Sequence, residues 1–294
     1  MARVLGIGVA TYDVINTVET YPPEDAKVRI IEQRVARGGN AANTLVVLSQ
    51  LGHHCAWGGV LAADAASQWI MAELRRCGVD TRYARIETRG AAPTSYILLS
   101  RATGSRTIAH YRDLTEFSDG DFAGIPVPDY DWIHFEGRNI EATLKTLEAL
   151  DRARHRAVRS VEIEKPRDGI EQLFNHARVL LFSRDYVHAV GWAEPAGFLE
   201  HMHRRLPRSQ VFCTWGECGA YGIGPEGQVL HRPARPPAAV VETVGAGDTF
   251  NAGVIHRLAG GGSLDDALAE GCRVAGIKCG RVGFDIGADG DATG

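Results

Sequence analysis

Apolar positions in this chain recur with two different periods. A short apolar run at residues 4–9 reads as a buried first strand, ending near Asp13. Residues 14–35 mix β-branched side chains with the turn Tyr21-Pro-Pro-Glu-Asp25, which predicts a short-strand excursion rather than a helix. Helical spacing follows over 42–51 and again over 65–77, the second closed by Gly78. Strands at 94–100 and 106–111 flank Arg101-Ala-Thr-Gly-Ser105 and should pair as a hairpin. Further strands are expected at 132–135, 159–163, 179–182 and 211–214, alternating with helical stretches, notably 140–154 and 194–206. Residues 221–224 and 229–231 suggest a small antiparallel addition, and two helices, 248–258 and 264–279, close the pattern.

Strand–helix alternation of this kind predicts an α/β fold, with a mostly parallel central sheet covered by helices on both faces. Ligands then collect at the carboxyl ends of the strands. The tail, 288–294, is small, acidic and glycine-rich, and is expected to be disordered. No internal repeat interrupts the pattern.

Two stretches carry candidate chemistry. Glu242-Thr-Val-Gly-Ala-Gly-Asp-Thr-Phe-Asn-Ala-Gly253 follows an apolar segment and opens a helix. Gly245 and Gly247 permit a tight turn and close approach of a ligand to the backbone. The unpaired amides of the first helical turn, those of Gly245, Ala246 and Gly247, make an anion site. A carboxylate there, Asp248, suits a reaction in which it takes a proton while the amides hold a transferring phosphoryl group. Asp248 could equally cap its helix. The second stretch, Arg37-Gly-Gly-Asn-Ala-Ala-Asn43, enters the helix at 42–51. Asn40 and Asn43 lie three apart and share a face, and their amides can donate to and accept from a polyhydroxylated ligand. An Asn cap after a glycine turn is the plainer alternative. Gly6-Ile-Gly8 lacks the third glycine of a dinucleotide fingerprint, and no glycine-rich loop ends in Lys-Ser or Lys-Thr.

Composition narrows the class. The 294 residues allow one large α/β domain or one domain plus a small appendage, and 45% hydrophobic with 23% charged residues is ordinary for a soluble globular protein. A net charge of −4 gives no electrostatic case for nucleic acid or an anionic membrane as partner. The apolar N-terminus reaches Asp13 too soon for a signal peptide, and no run is long enough to span a bilayer. The six cysteines form no Cys-x-x-Cys pair and stand at no zinc spacing, so reduced thiols in a cytoplasmic protein are expected.

Together the two stretches resemble the signatures of the ribokinase-like (PfkB) carbohydrate kinases. Within that family, His134-Phe-Glu-Gly-Arg-Asn139, Val161-Glu-Ile-Glu-Lys-Pro-Arg167, residues 14–34 and residues 274–285 resemble the ketohexokinase (animal fructokinase) branch. The similarity runs from Val4 to about Asp285. It implies an α/β kinase core over 1–13 and 36–287, and a β lid or clasp formed by 14–35 with 94–112. It also implies ATP with Mg²⁺, a ketohexose such as fructose as acceptor, and a homodimer joined through the lid. By the same resemblance Asp13, Gly39, Asn40 and Asn43 would form the sugar pocket, with Asp248 as base and Asp25 reaching the partner subunit's sugar. Arg106, the turn Trp215-Gly216-Glu217-Cys218-Gly219 and Cys279 would meet the nucleotide.

Three positions depart from the family. Glu242 stands where most members carry Asp, a position that contributes to monovalent-cation binding in several relatives, so potassium activation is doubtful. The Asn-x-x-Glu motif tied to magnesium is absent; Ser183-Arg-Asp-Tyr186 stands there, and no direct metal ligand is assigned, although Glu136, Glu162 and Glu164 lie near strand ends. The turn at 216–218 is less acidic than in the animal enzymes. A nucleoside kinase on the same fold and a catalytically silent sugar-binding regulator remain the alternatives.

Overall fold

The computed structural model describes residues 1–287; the tail at 288–294 lies outside the described residues. The chain opens with β1 (Arg3–Ile7), β2 (Thr11–Val18), β3 (Glu32–Gly38), α1 (Asn40–Gln50), β4 (His54–Ala62), α2 (Ala65–Arg76) and β5 (Val79–Glu87). A hairpin, β6 (Thr94–Ser100) and β7 (Arg106–Tyr111), leads to α3 (Asp119–Ala123) and β8 (Trp132–Glu136). Then come α4 (Ile140–Arg152), β9 (Val158–Ile163), β10 (Val179–Phe182), α5 (Arg184–Ala189), α6 (Pro195–Arg205) and β11 (Gln210–Thr214). The last elements are β12 (Ala220–Ile223), β13 (Val229–Arg232), α7 (Ala246–Ala259) and α8 (Leu264–Cys279).

Nine strands form the main sheet in the order β13-β12-β11-β10-β9-β8-β1-β4-β5, all running the same way except β12, which is antiparallel to both its neighbours. Alternation along β1 divides the core in two. Val4 packs with Leu45, Trp57, Phe250 and Leu268 on the face covered by α1, α2, α7 and α8. Leu5 and Ile7 pack with Ile133, Leu147, Phe182 and Phe198 on the other. From β1 the chain builds outward first through β4 and β5, then in the opposite direction from β8. That reversal leaves a crevice beyond the carboxyl ends of β1 and β8, where α/β sheets bind ligands.

A second, four-stranded sheet has the order β3-β2-β6-β7. Its strands begin at Thr11 and return through Gly38, so the junctions expected at 13/14 and 35/36 fall inside β2 and β3. Asp13 therefore lies three residues into a strand of the small sheet, not at the end of β1 as its sequence position suggests. Two core strands, β4 and β5, are absent from the sequence reading. The run of β4 is interrupted by Gly58 and Gly59, where a Cβ at Gly59 would overlap Trp57 and the Gly8 carbonyl, so close packing has replaced the usual β-branched pattern.

Candidate active site

The start of α7 differs from those of α2 and α8. Ser263 and Asp266 form a reciprocal capping box on α8, and the Asp64 side chain accepts from the Ser67 amide at 2.7 Å on α2. Helix α7 begins instead after Gly245, at φ 78°, with no side-chain cap. A Cβ at Gly245 would strike the Phe284 ring, while one at Gly247 would meet open space. The Ala246 amide donates to the Thr243 carbonyl at 3.2 Å, which removes it from the anion site expected of it. The amides of Gly247 and Asp248 find no backbone acceptor among the described residues. A helix end with open amides and no carboxylate cap is ready for an anion. Asp248 is a third-position residue of α7 and does not cap it.

The paired glycines bring the second motif to the same place. Gly39 adopts φ 102°, and a Cβ there would overlap the Val9 carbonyl. A Cβ at Gly38 would overlap the Asp13 carboxylate, so Asp13 lies directly against the Gly38–Gly39 turn. Asn43, buried in α1, donates through Nδ2 to Asp248 Oδ2 at 2.6 Å. Its Oδ1 accepts from Arg37 at 2.7 Å. Thr44 Oγ1 donates to the Asp248 carbonyl at 3.1 Å and ties α1 to the first turn of α7. Asn40 Nδ2 reaches Glu164 Oε2 at 3.4 Å. Two stretches some two hundred positions apart thus converge on one carboxylate.

Around them lies a cleft of about 1800 Å³ between the main sheet and the small one. Asp13, Gly39, Asn40, Asn43, Arg106, Gly216, Gly245, Gly247 and Asp248 line it. The carboxylates are crowded. Burial, joined by the charges of Glu136 and Glu164, pushes Asp248 up to about 7, against the Asn43 hydrogen bond and Arg37. Burial and then the charge of Asp248 hold Glu162 well above the ordinary range, and burial raises Glu136 and Asp13. Val9 N–H donates to Glu136 at 2.9 Å, and Gly8 has no room for a Cβ beside that carboxylate. Asn251, one turn beyond Asp248, donates to Glu162 Oε1 at 3.1 Å. The other oxygen of Glu162 is buried without a partner among the described residues.

Several residues expected at the site lie elsewhere. The Gly219 amide is spent on the Gly216 carbonyl at 3.0 Å, and the 232–234 backbone fills the space a side chain would need. That glycine serves the crossing of two chain segments. Trp215 packs on His188 with ring centroids 4.9 Å apart, and Glu217 points to solvent; neither lines the cleft. Cys279 does not line it either; its carbonyl accepts from the Val241 and Glu242 amides and anchors the approach to α7. Asp25 is exposed in a turn at φ 61°, outside the cleft of its own chain. Conversely, Arg37, Arg184, Glu162 and Asn251 line the cleft without having been assigned a role. Glu162 reads from sequence as a carboxylate near a strand end, and Asn251 carried a usable signal, three residues after Asp248 on one helical face.

Glu242 is fully engaged. Its carboxylate accepts from Lys278 Nζ at 3.0 Å and from Gly283 N–H at 2.9 Å, and pairs with Arg34 of β3. Lys278 is completely buried and also donates to the Glu242 carbonyl at 2.9 Å. Against the cost of burial, the Gly283 and Lys278 hydrogen bonds hold the Glu242 carboxyl below its ordinary range.

Comparison with known proteins places this geometry. The family model for pfkB family carbohydrate kinases matches residues 1–289. Ketohexokinase of Mus musculus is 40% identical over 96% of this chain and 98% of its own. A fructokinase of Klebsiella pneumoniae is 26% identical over 79% of this chain and 80% of its own. The structure of Arabidopsis thaliana ribokinase complexed with ribose and ATP superposes with a TM-score of 0.80 at 19% identity, covering 96% of this chain and 94% of that one. The chain belongs to the pfkB family and is an ATP-dependent carbohydrate kinase.

Proposed function

We propose that this kinase phosphorylates a ketohexose such as fructose at its primary hydroxyl, giving the 1-phosphate. The observation that carries the reading is the 2.6 Å hydrogen bond between Asn43 and Asp248, which joins the asparagine motif to the glycine turn. Similarity to ketohexokinase over nearly the full length favours a ketohexose.

Asp248, raised to about 7, is a base matched to neutral pH. It takes the hydroxyl proton as the sugar oxygen bonds to the γ-phosphorus and the bond to the β–γ bridging oxygen breaks, releasing ADP. Open amides at the start of α7 stabilise charge on the transferring group. Asp13, Gly39, Asn40 and Asn43 hold the sugar, and Arg106 of β7 and Gly216 meet the nucleotide. Among the described residues no three His, Cys, Asp or Glu side chains stand close enough to cage a metal. A hydrated Mg²⁺ held by nucleotide phosphates suits that arrangement, with the unpartnered oxygen of Glu162 as a water-mediated contact, and it would neutralise phosphate charge.

The small sheet is proposed as a lid that excludes water and as the clasp of a homodimer. Val35, Tyr96, Ile108 and Tyr111 leave it markedly apolar and exposed. With Glu242 already satisfied by Lys278, Arg34 and Gly283, potassium is not required. The cytoplasm, where ATP is at hand, is the proposed location; no helix among the described residues is long and apolar enough to cross a membrane.

A coupled assay of ATP consumption across fructose, tagatose, ribose and adenosine, with a no-acceptor control, tests the reading. Highest kcat/KM on fructose, with the 1-phosphate as product, is expected. Preference for adenosine would transfer the chain to the nucleoside kinases, and ATP turnover indifferent to added sugar would remove the kinase assignment of the cleft.

A further inference from the structure

We infer that Arg37 is a positioning residue that sets the orientation of the catalytic base through Asn43. Arg37, Asn43 and Asp248 are 8%, 4% and 7% exposed, and they form one unbranched line of hydrogen bonds. A guanidinium only donates and an ionised carboxylate only accepts. An amide bridging the two therefore has one arrangement, Oδ1 toward Arg37 and Nδ2 toward Asp248. Without Arg37 nothing opposes a turned-over amide once Asp248 holds a proton, because a protonated carboxyl can donate to Oδ1 as readily as accept from Nδ2. With Arg37 in place, Asp248 Oδ2 is held and Oδ1 is left for the acceptor hydroxyl.

The position of Arg37 strengthens the inference. It is the penultimate residue of β3 in the small sheet, immediately before Gly38, and its guanidinium lies over the Phe284 ring, 5.5 Å from the centroid. That ring also touches Gly245 and receives Lys278 at 5.6 Å. Arg37 thus spans from the proposed lid to the base. It is also a positive charge facing Asp248 among the carboxylates of Glu136 on β8, Glu162 on β9 and Glu164 just beyond it. From its other side Asp13 of β2, with Glu73 and Cys77 at the end of α2, face the guanidinium.

The inference rests on Asp248 as base, and the test separates the two. Profiles of kcat and KM against pH are measured for Arg37→Gln, Arg37→Lys and Asp248→Asn, each checked for folding by thermal unfolding. Arg37→Gln is expected to lose roughly ten- to a hundredfold in kcat at nearly unchanged sugar KM, the scale of a misplaced reacting group. Its acidic limb should move up by about half to one pH unit, as Asp248 loses a favourable charge. Arg37→Lys keeps the charge but not the fixed fork, so it should keep the limb and still lose kcat. If Arg37→Gln does not fold, Arg37→Lys decides alone. An inactive Asp248→Asn beside a normal Arg37 variant in both kcat and limb overturns the positioning role only; an active Asp248→Asn overturns the base itself.

Discussion

Burial, with Glu136 and Glu164 nearby, pushes Asp248 up to about 7 from an ordinary 3.8, and this has a thermodynamic consequence. A carboxyl group raised in the folded state binds its proton more tightly there than in the unfolded chain. Its contribution to stability is complete below pH ~3.8 and is lost as pH rises through about 7. Ionised Asp248 is thus a burden on the fold at pH 8. Asp248→Asn, which keeps the shape and can still accept from Asn43, should raise the unfolding free energy at pH 8 by roughly a few kcal/mol. The gain should shrink at pH 5. Equal unfolding midpoints in urea for both proteins at pH 8 would contradict this. The identity of Asp248 as the reactive residue was legible in the glycine turn around it. Its environment was not, because Glu136 and Glu162 come from strand ends more than eighty positions away and only the parallel sheet brings them together.

At the level of elements, the start of α7 depends on two glycines for different reasons. Gly245 holds φ 78° with Phe284 against it, so Gly245→Ala should cost about 1–3 kcal/mol through strain and overlap. At Gly247 a methyl group meets nothing and alanine suits a helix, so Gly247→Ala should leave the melting temperature unchanged or higher. That methyl nevertheless enters the cleft beside the open amides, and turnover should fall. A normal kcat for Gly247→Ala would argue against the anion site. Nearby, Glu242 anchors the approach to the turn by accepting from the buried Lys278. Glu242→Gln leaves that ammonium without its counter-charge and should destabilise the protein by about 3 kcal/mol. The native enzyme should turn over equally in potassium and choline salts; strong dependence on potassium would show that Lys278 and Arg34 do not satisfy this carboxylate. Periodicity revealed the long helices and the strands from β8 to β13, and the flanked turn set the hairpin of β6 and β7; the short helices α3 and α5 and the edge strand β5 went unread. Periodicity failed at β4, where glycine packing overrides alternation, and at Asp13, where a strand boundary of four residues decides which sheet carries the side chain.

For the whole molecule, the placement of Asp25 is the informative feature. It is exposed and outside the cleft of its own chain, so a role on the sugar requires a second copy. Heterodimers of Asp25→Ala and Asp248→Asn subunits should recover part of the activity that either homodimer lacks. Failure to recover it in heterodimers shown to form would restrict each site to one chain. The proposed clasp has little trace in the sequence, since the apolar residues of the small sheet fall on short strands scattered from 11 to 111. On the proposed mechanism Asp248 receives the proton of a sugar hydroxyl held opposite the turn at the start of α7. The direct measurement is the turnover of folded Asp248→Asn enzyme with saturating ATP and fructose. A loss of roughly a hundred- to ten-thousand-fold in kcat, with fructose binding retained, is the expected result; turnover close to that of the native enzyme would contradict it.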